Sequence, residues 1–243
     1  MAGALRAFGR NDLRGIGREP LMFGLLLAPA GWIALVRFGT PAAGDLLADR
    51  YGVDLTRYHP LILTAFLLLT SPIVVGALVS FLVLDERDAG TLTALRVSPV
   101  PLRSFVVYRA GLALVLTAVY TVVTIGASGL FPAQRWPELV AIGLATGPSG
   151  LLVILVLLAF AGNKVEGLAV VRALGILVAG LPLIPYFLDS AWQWWFGLIP
   201  TFWPAKAFWL VCAGGTWWPV ALVGVLHNLA LAYPLYRRFA RRV

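Results

Sequence analysis

The sequence predicts an all-α integral membrane protein with six transmembrane helices. Three observations carry that reading. Of 243 residues, 60% are hydrophobic and 12% charged, against about 45–50% and about 25% in an average soluble domain. Six apolar stretches, at 21–36, 60–84, 110–131, 138–161, 167–188 and 219–236, lie near the roughly 20 residues that cross hydrocarbon. The basic residues also sort onto alternate connections. Together these exclude a soluble enzyme, a disordered regulator and a disulfide scaffold. The runs are continuous, not ten-residue alternating strands, which excludes an outer-membrane barrel. A single cysteine, Cys212, and two distant histidines, His59 and His227, leave no metal-ligand set.

The six spans place both termini on one side. That side carries Arg6, Arg10, Arg14, Arg18, Arg87, Arg96, Arg103, Arg109, Lys164, Arg172, Arg237, Arg238, Arg241 and Arg242. The other carries only Arg37, Arg50, Arg57, Arg135 and Lys206. By the positive-inside rule both termini are cytoplasmic, in the cell membrane. The net charge of +8 is therefore read as topology. It is not a nucleic-acid footprint, because no basic cluster lies on a soluble domain.

Taken in order, residues 1–20 interleave Leu5, Phe8, Leu13 and Ile16 with arginines at every fourth position. That pattern fits a helix lying in the inner interface with its arginines toward lipid head groups; a plain basic flank is the simpler reading. Glu19-Pro20 ends it and opens the first span. The long segment before that span argues for an uncleaved span over a signal peptide. Residues 38–59 are polar and read as a solvated connection. The second and fourth spans contain no charge apart from Glu138 at an edge. Asn163-Lys164-Val165-Glu166 reads as a short turn before the fifth span, with Arg172 at that span's inner end.

Residues 189–218 hold seven of the nine tryptophans. Pro200 and Pro204 oppose a seventh span, and Gly214-Gly215 permits a sharp turn. The expectation is two short helices forming a re-entrant outer hairpin. Pro200, Trp203, Pro204 and Trp209 are its candidate gate or exit residues; an aromatic belt at the interface is the plainer alternative. In the last span, His227 and Asn228 are polar groups that either bond a neighbouring helix or face a substrate path.

The most informative segment is 85–99. Asp85 suits an N-cap, and Glu86, Arg87 and Asp88 crowd a first turn. Leu92 and Leu95 share a face, and Pro99 stops the helix. A short amphipathic cytoplasmic helix with no membrane to cross suits docking in a partner's groove.

Here Glu86, Gly90-Thr91, Leu95 and Ser98-Pro99 resemble the signature of permease subunits of type-2 ATP-binding-cassette exporters. The six spans, the interfacial N-terminal helix and the re-entrant segment match that architecture along most of the chain. Ile199-Pro200 with Trp203 looks most like drug-efflux permeases, including those linked to fluoroquinolone export. In the family a lysine often follows the Ser-Pro pair; Arg109 stands near that place here, keeping the charge. The resemblance implies that 85–99 is a coupling helix seated in a separate ATPase subunit. ATP and magnesium would bind on that subunit, and this chain would pair with a second permease chain, homo- or heteromeric. It would export an amphipathic or hydrophobic small molecule by alternating access. The residues agree with that division: no Gly-x-x-x-x-Gly-Lys-Ser/Thr loop is present, so no ATP chemistry of that kind belongs to this chain.

Two other classes compete. Gly147-Pro148-Ser149-Gly150 with His227 resembles the pair of a rhomboid-type intramembrane serine protease. A non-transporting membrane anchor or assembly subunit is the third reading, though it needs no amphipathic cytoplasmic helix.

Overall fold

The second and fourth spans form the centre of the bundle. The computed structural model describes residues 9, 12, 17, 19–88 and 102–240. The amphipathic pattern expected over 1–18 therefore lies outside the described residues apart from Gly9, Asp12 and Gly17. So do Gly90, Thr91, Leu92, Leu95, Ser98 and Pro99 of the expected coupling helix.

The helices are α1 (Pro20–Ala34), α2 (Thr40–Tyr51), α3 (His59–Leu63), α4 (Thr70–Asp88), α5 (Leu102–Ala127), α6 (Trp136–Phe160), α7 (Lys164–Leu174), α8 (Phe202–Ala213) and α9 (Trp218–Ala240). π turns join α1 to α2 over Leu35–Gly39 and α3 to α4 over Thr64–Leu68. Another extends α7 over Gly175–Gly180, and a 3₁₀ stretch over Leu181–Phe187 follows it. No strand occurs among the described residues. Among the described residues, six runs are long and apolar enough to span a membrane: Pro20–Tyr51, Thr56–Asp88, Val107–Ala127, Ala133–Phe160, Lys164–Phe187 and Trp218–Arg238. The protein is a multi-pass, all-α membrane protein.

Burial sorts these runs into a core and a shell. In the second and fourth, 89% and 72% of the apolar window is buried; in the first it is 11%. Shell helices instead present Phe23, Leu27, Val115, Ile176 and Leu226 outward, as a lipid-facing surface requires. In lipid, side chains gain little from leaving hydrocarbon, so helices associate through close packing. Small residues on α6 supply it against α5. A Cβ at Gly143 would lie 2.9 Å from the Ala118 carbonyl oxygen, and one at Gly147 3.0 Å from that of Leu114. Between α4 and α5, Ser71 and Thr121 share a hydrogen bond of 2.7 Å, and Thr121 also donates to the Thr117 carbonyl at 2.8 Å.

Three local expectations differ from the structure. Residues 38–59 are largely helical, not an irregular loop: α2 continues the first span to Tyr51. Pro41 opens its first turn, alanine and leucine favour the helix, and Gly52 ends it at φ 64°. Asn163–Glu166 is likewise not a turn but the start of α7. The Asn163 side chain accepts from the Glu166 amide at 3.0 Å, and Glu166 Oε2 accepts from the Gly162 amide at 2.7 Å. The third difference is at Asp85, described with the site below.

Candidate functional site

The bundle has two polar ends built on different chemistry. At one end α4 finishes with Asp85-Glu86-Arg87-Asp88. Asp85 is therefore not the N-cap of a separate helix, and Glu86 does not open one. Both lie in the last turn of the second span, where a helix terminus disfavours carboxylates. Cations brought from other elements compensate.

Arg109, near the start of α5, binds Asp12 through two bonds, Nη1 to Oδ2 at 2.8 Å and Nη2 to Oδ1 at 2.9 Å. Its Nη2 also reaches Glu86 Oε1 at 2.9 Å. The side chains of Arg109, Asp12 and Glu86 are 6%, 8% and 11% exposed, so the triad is dry. The Tyr108 hydroxyl donates to Asp12 Oδ2 at 2.7 Å. Beside it, Lys164 at the start of α7 pairs with Asp85 Oδ1 at 2.5 Å and with the carboxylate of Glu19, just before α1. Adjacent residues of α4 thus enter two separate triads, each with one cation between two carboxylates. Together they tie the N-terminal segment, α4, α5 and α7 at one point. Arg87 and Asp88 are exposed, as is Arg172 in the last turn of α7.

At the other end the cations meet neutral acceptors. Arg37 donates to the Ala127 carbonyl at 2.8 Å, closing the C-terminus of α5. Arg135 does the same to the Val211 carbonyl near the C-terminus of α8. Both suit the negative end of a helix dipole. Lys206 donates to Gln193 Oε1 at 2.6 Å.

The expected tryptophan-rich segment folds as a 3₁₀ helix, Ala191–Leu198, followed by α8. Gly214, at φ 75°, ends α8, with the Gly215 amide on the Leu210 carbonyl at 2.8 Å. Its aromatic residues divide by role. Trp192, Trp194, Trp195 and Trp218 are exposed. Trp209 is buried and donates from Nε1 to Thr64 Oγ1 at 2.8 Å, at the π turn of the second span. Trp203 is half-buried, and its Nε1 donates to the Gly197 carbonyl at 2.9 Å. Phe202 and Phe208 are fully buried, and Phe208 stacks on Phe131 at 5.8 Å. α8 is therefore a core element and not only a belt. Pro204 is buried in its first turn, and the Pro200 carbonyl accepts from Asn228 Nδ2 at 3.1 Å. Asn228 also donates to the Gly224 carbonyl at 2.8 Å, and the His227 ring lies 6.2 Å from that of Trp203. Asn228 thus holds the turn before α8, while His227 meets Trp203 only by its ring.

Ser149 Oγ and His227 Nε2 are each buried without a hydrogen-bond partner. The base of a serine protease must hold the nucleophile's proton, and no such contact exists here.

The model of the fluoroquinolones export permease protein Rv2686c-like family matches residues 12–236. The chain belongs to that family. It is 53% identical over 236 residues to the fluoroquinolones export permease protein Rv2686c of Mycobacterium tuberculosis strain ATCC 25618 / H37Rv, covering 97% of this chain and 94% of that one. It is equally similar to the fluoroquinolones export permease protein MT2760 of strain CDC 1551 / Oshkosh. No solved structure matches. The resemblance to drug-efflux permeases drawn from Ile199-Pro200 with Trp203 is thus shown at the level of the family.

For this family member, sequence reasoning missed Asp12, Glu19, Tyr108 and the pairing role of Lys164. Their partners lie 97 and 145 positions away, which no spacing rule reaches. One signal was present: acids in the final turn of a span need cations.

Proposed function

We propose that this chain is the membrane subunit of an ATP-driven exporter of fluoroquinolone-like antibiotics. The observation that carries this is the 53% identity over 97% of the chain to proteins named for fluoroquinolone export. Both termini are cytoplasmic, following the distribution of basic residues, and a second permease chain completes the path. ATP and magnesium bind on a separate ATPase subunit, which docks on the connection after α4. Its closure moves Asp85 and Glu86, and the two ion-pair triads pass that motion to α5, α7 and the N-terminal segment together. Among the described residues the apolar core carries no ion pair, so the ionic end is where the stroke enters.

The test is drug accumulation in an efflux-deficient bacterial host. Cells making this chain with an ATP-binding-cassette ATPase subunit from the same organism are expected to accumulate less ciprofloxacin than cells making either alone. Equal accumulation in all three, with both proteins in the membrane, contradicts the proposal.

A further inference from the structure

At the aromatic end a cleft of about 380 Å³ opens between the end of the fifth span and α8. Lys206, Gln193, Asp189, Tyr186 and Trp209 line it. Lys206 and Asp189 are the only charged residues in 189–218. An ammonium has three donors, and Lys206 uses one on Gln193, a neutral amide. Asp189 acts on it electrostatically without forming an ion pair, and partial burial pulls the Lys206 pKa below the ordinary lysine value. Desolvation thus disfavours the cation, and Asp189 offsets it only in part. Opposite this donor, Tyr186 and Trp209 meet edge to face at 5.1 Å and give the cleft an aromatic wall. Trp209 is fixed by its bond to Thr64 and Tyr186 by its 2.8 Å bond to the Arg57 carbonyl, so the wall is preorganised.

We propose that this cleft is a binding site for a planar aromatic carboxylate, with the carboxylate on Lys206 and the ring against Trp209 and Tyr186. A charge-assisted bond in a partly dry site is about twice as strong as a neutral one, and it supplies the counter-charge that Gln193 does not. An amine at the far end of such a ligand meets Asp189. The site deepens the export reading, because a fluoroquinolone is a flat aromatic zwitterion with those two groups, and it rests on that reading for its physiological ligand.

The experiment measures quenching of tryptophan fluorescence in the full chain in lipid nanodiscs. The probes are 1-naphthoate, neutral 1-naphthylmethanol and ciprofloxacin. Wild type is expected to bind naphthoate about tenfold more tightly than the alcohol, the effect of one charged contact. Lys206→Gln should reduce naphthoate to the level of the alcohol, and Lys206→Arg should retain most of the preference. Asp189→Asn should weaken ciprofloxacin and spare naphthoate. Equal affinity of wild type for naphthoate and the alcohol overturns the site without reference to any variant. So does a Lys206→Gln protein with wild-type naphthoate affinity. If naphthoate binding depends on Lys206 but ciprofloxacin is neither bound nor exported, the site stands and the drug-export reading falls. If ciprofloxacin is exported and bound equally by wild type and Lys206→Gln, the export reading stands and this assignment falls.

Discussion

The ionic end and the aromatic end solve the same problem by opposite means. Each must hold together helix termini whose backbone ladders stop. At the ionic end, Arg109 and Lys164 bond four carboxylates, two of them adjacent on α4 and two from the N-terminal segment. At the aromatic end, Arg37, Arg135 and Lys206 bond carbonyl or amide oxygens, and ring N–H groups do the rest. The difference predicts different responses to mutation. A paired charge cannot be removed from a dry site without stranding its partners, whereas a neutral bond can be lost at modest cost. The ionic end is therefore stiff and all-or-none; the aromatic end tolerates change, and its Lys206 bonds a neutral amide.

The largest effect should come from Arg109→Met, which strands Asp12 and Glu86. Breaking a buried pair costs about 3–5 kcal/mol, seen as a lower melting temperature of the purified protein. Adding Asp12→Asn and Glu86→Gln should restore most of the loss. If Arg109→Met melts like wild type, the triad does not hold the ionic end.

Next is Phe208→Ala, which opens a cavity beside Phe131 and should cost about 3–4 kcal/mol. Trp192→Ala, at an exposed ring in the same segment, should stay within about 0.5 kcal/mol. Equal costs at the two positions would mean that α8 is an interface belt after all. Trp209→Phe keeps the ring and loses the bond to Thr64, so about 1 kcal/mol is expected.

The smallest effect is chemical. Burial pushes the Cys212 thiol up to about 12, so below that pH it stays protonated and the reactive thiolate is scarce. At pH 8 it should react with a maleimide far more slowly than a cysteine placed at Trp192 in a Cys212→Ala background, and its rate should rise with pH. Comparable rates would show that the segment opens in solution.

Much of the fold was legible because span length and hydrophobicity are local properties. Which spans form the core was not legible from charge: the first, third and sixth stretches are also free of charged residues, yet their helices lie in the shell. Three elements are harder to see. Polar residues in 38–59 mask α2 in the hydropathy pattern, although its helix formers and Gly52 cap carry the signal. Asn163–Glu166 is polar enough to suggest a turn, yet it holds a cap and its reciprocal acid. Asp85 suits an N-cap because acids favour first turns; the cation that lets it lie late in α4 comes from a distant segment. The family motif at Glu86 and Gly90-Thr91 identified the lineage, but the partners of Glu86 were beyond sequence spacing. Placement of Gly90, Thr91, Leu92, Leu95, Ser98 and Pro99 lies outside the described residues, so the coupling role there rests on the proposal.

The central claim is that the stroke of the ATPase enters through Asp85 and Glu86. Inverted membrane vesicles carrying this chain and its ATPase test it by measuring ATP hydrolysis and ciprofloxacin uptake together. For Asp85→Asn/Glu86→Gln, the account predicts that hydrolysis persists while uptake falls about tenfold or more, the change expected when about 1.4 kcal/mol of coupling is lost. Uptake at the wild-type rate per ATP hydrolysed would contradict it.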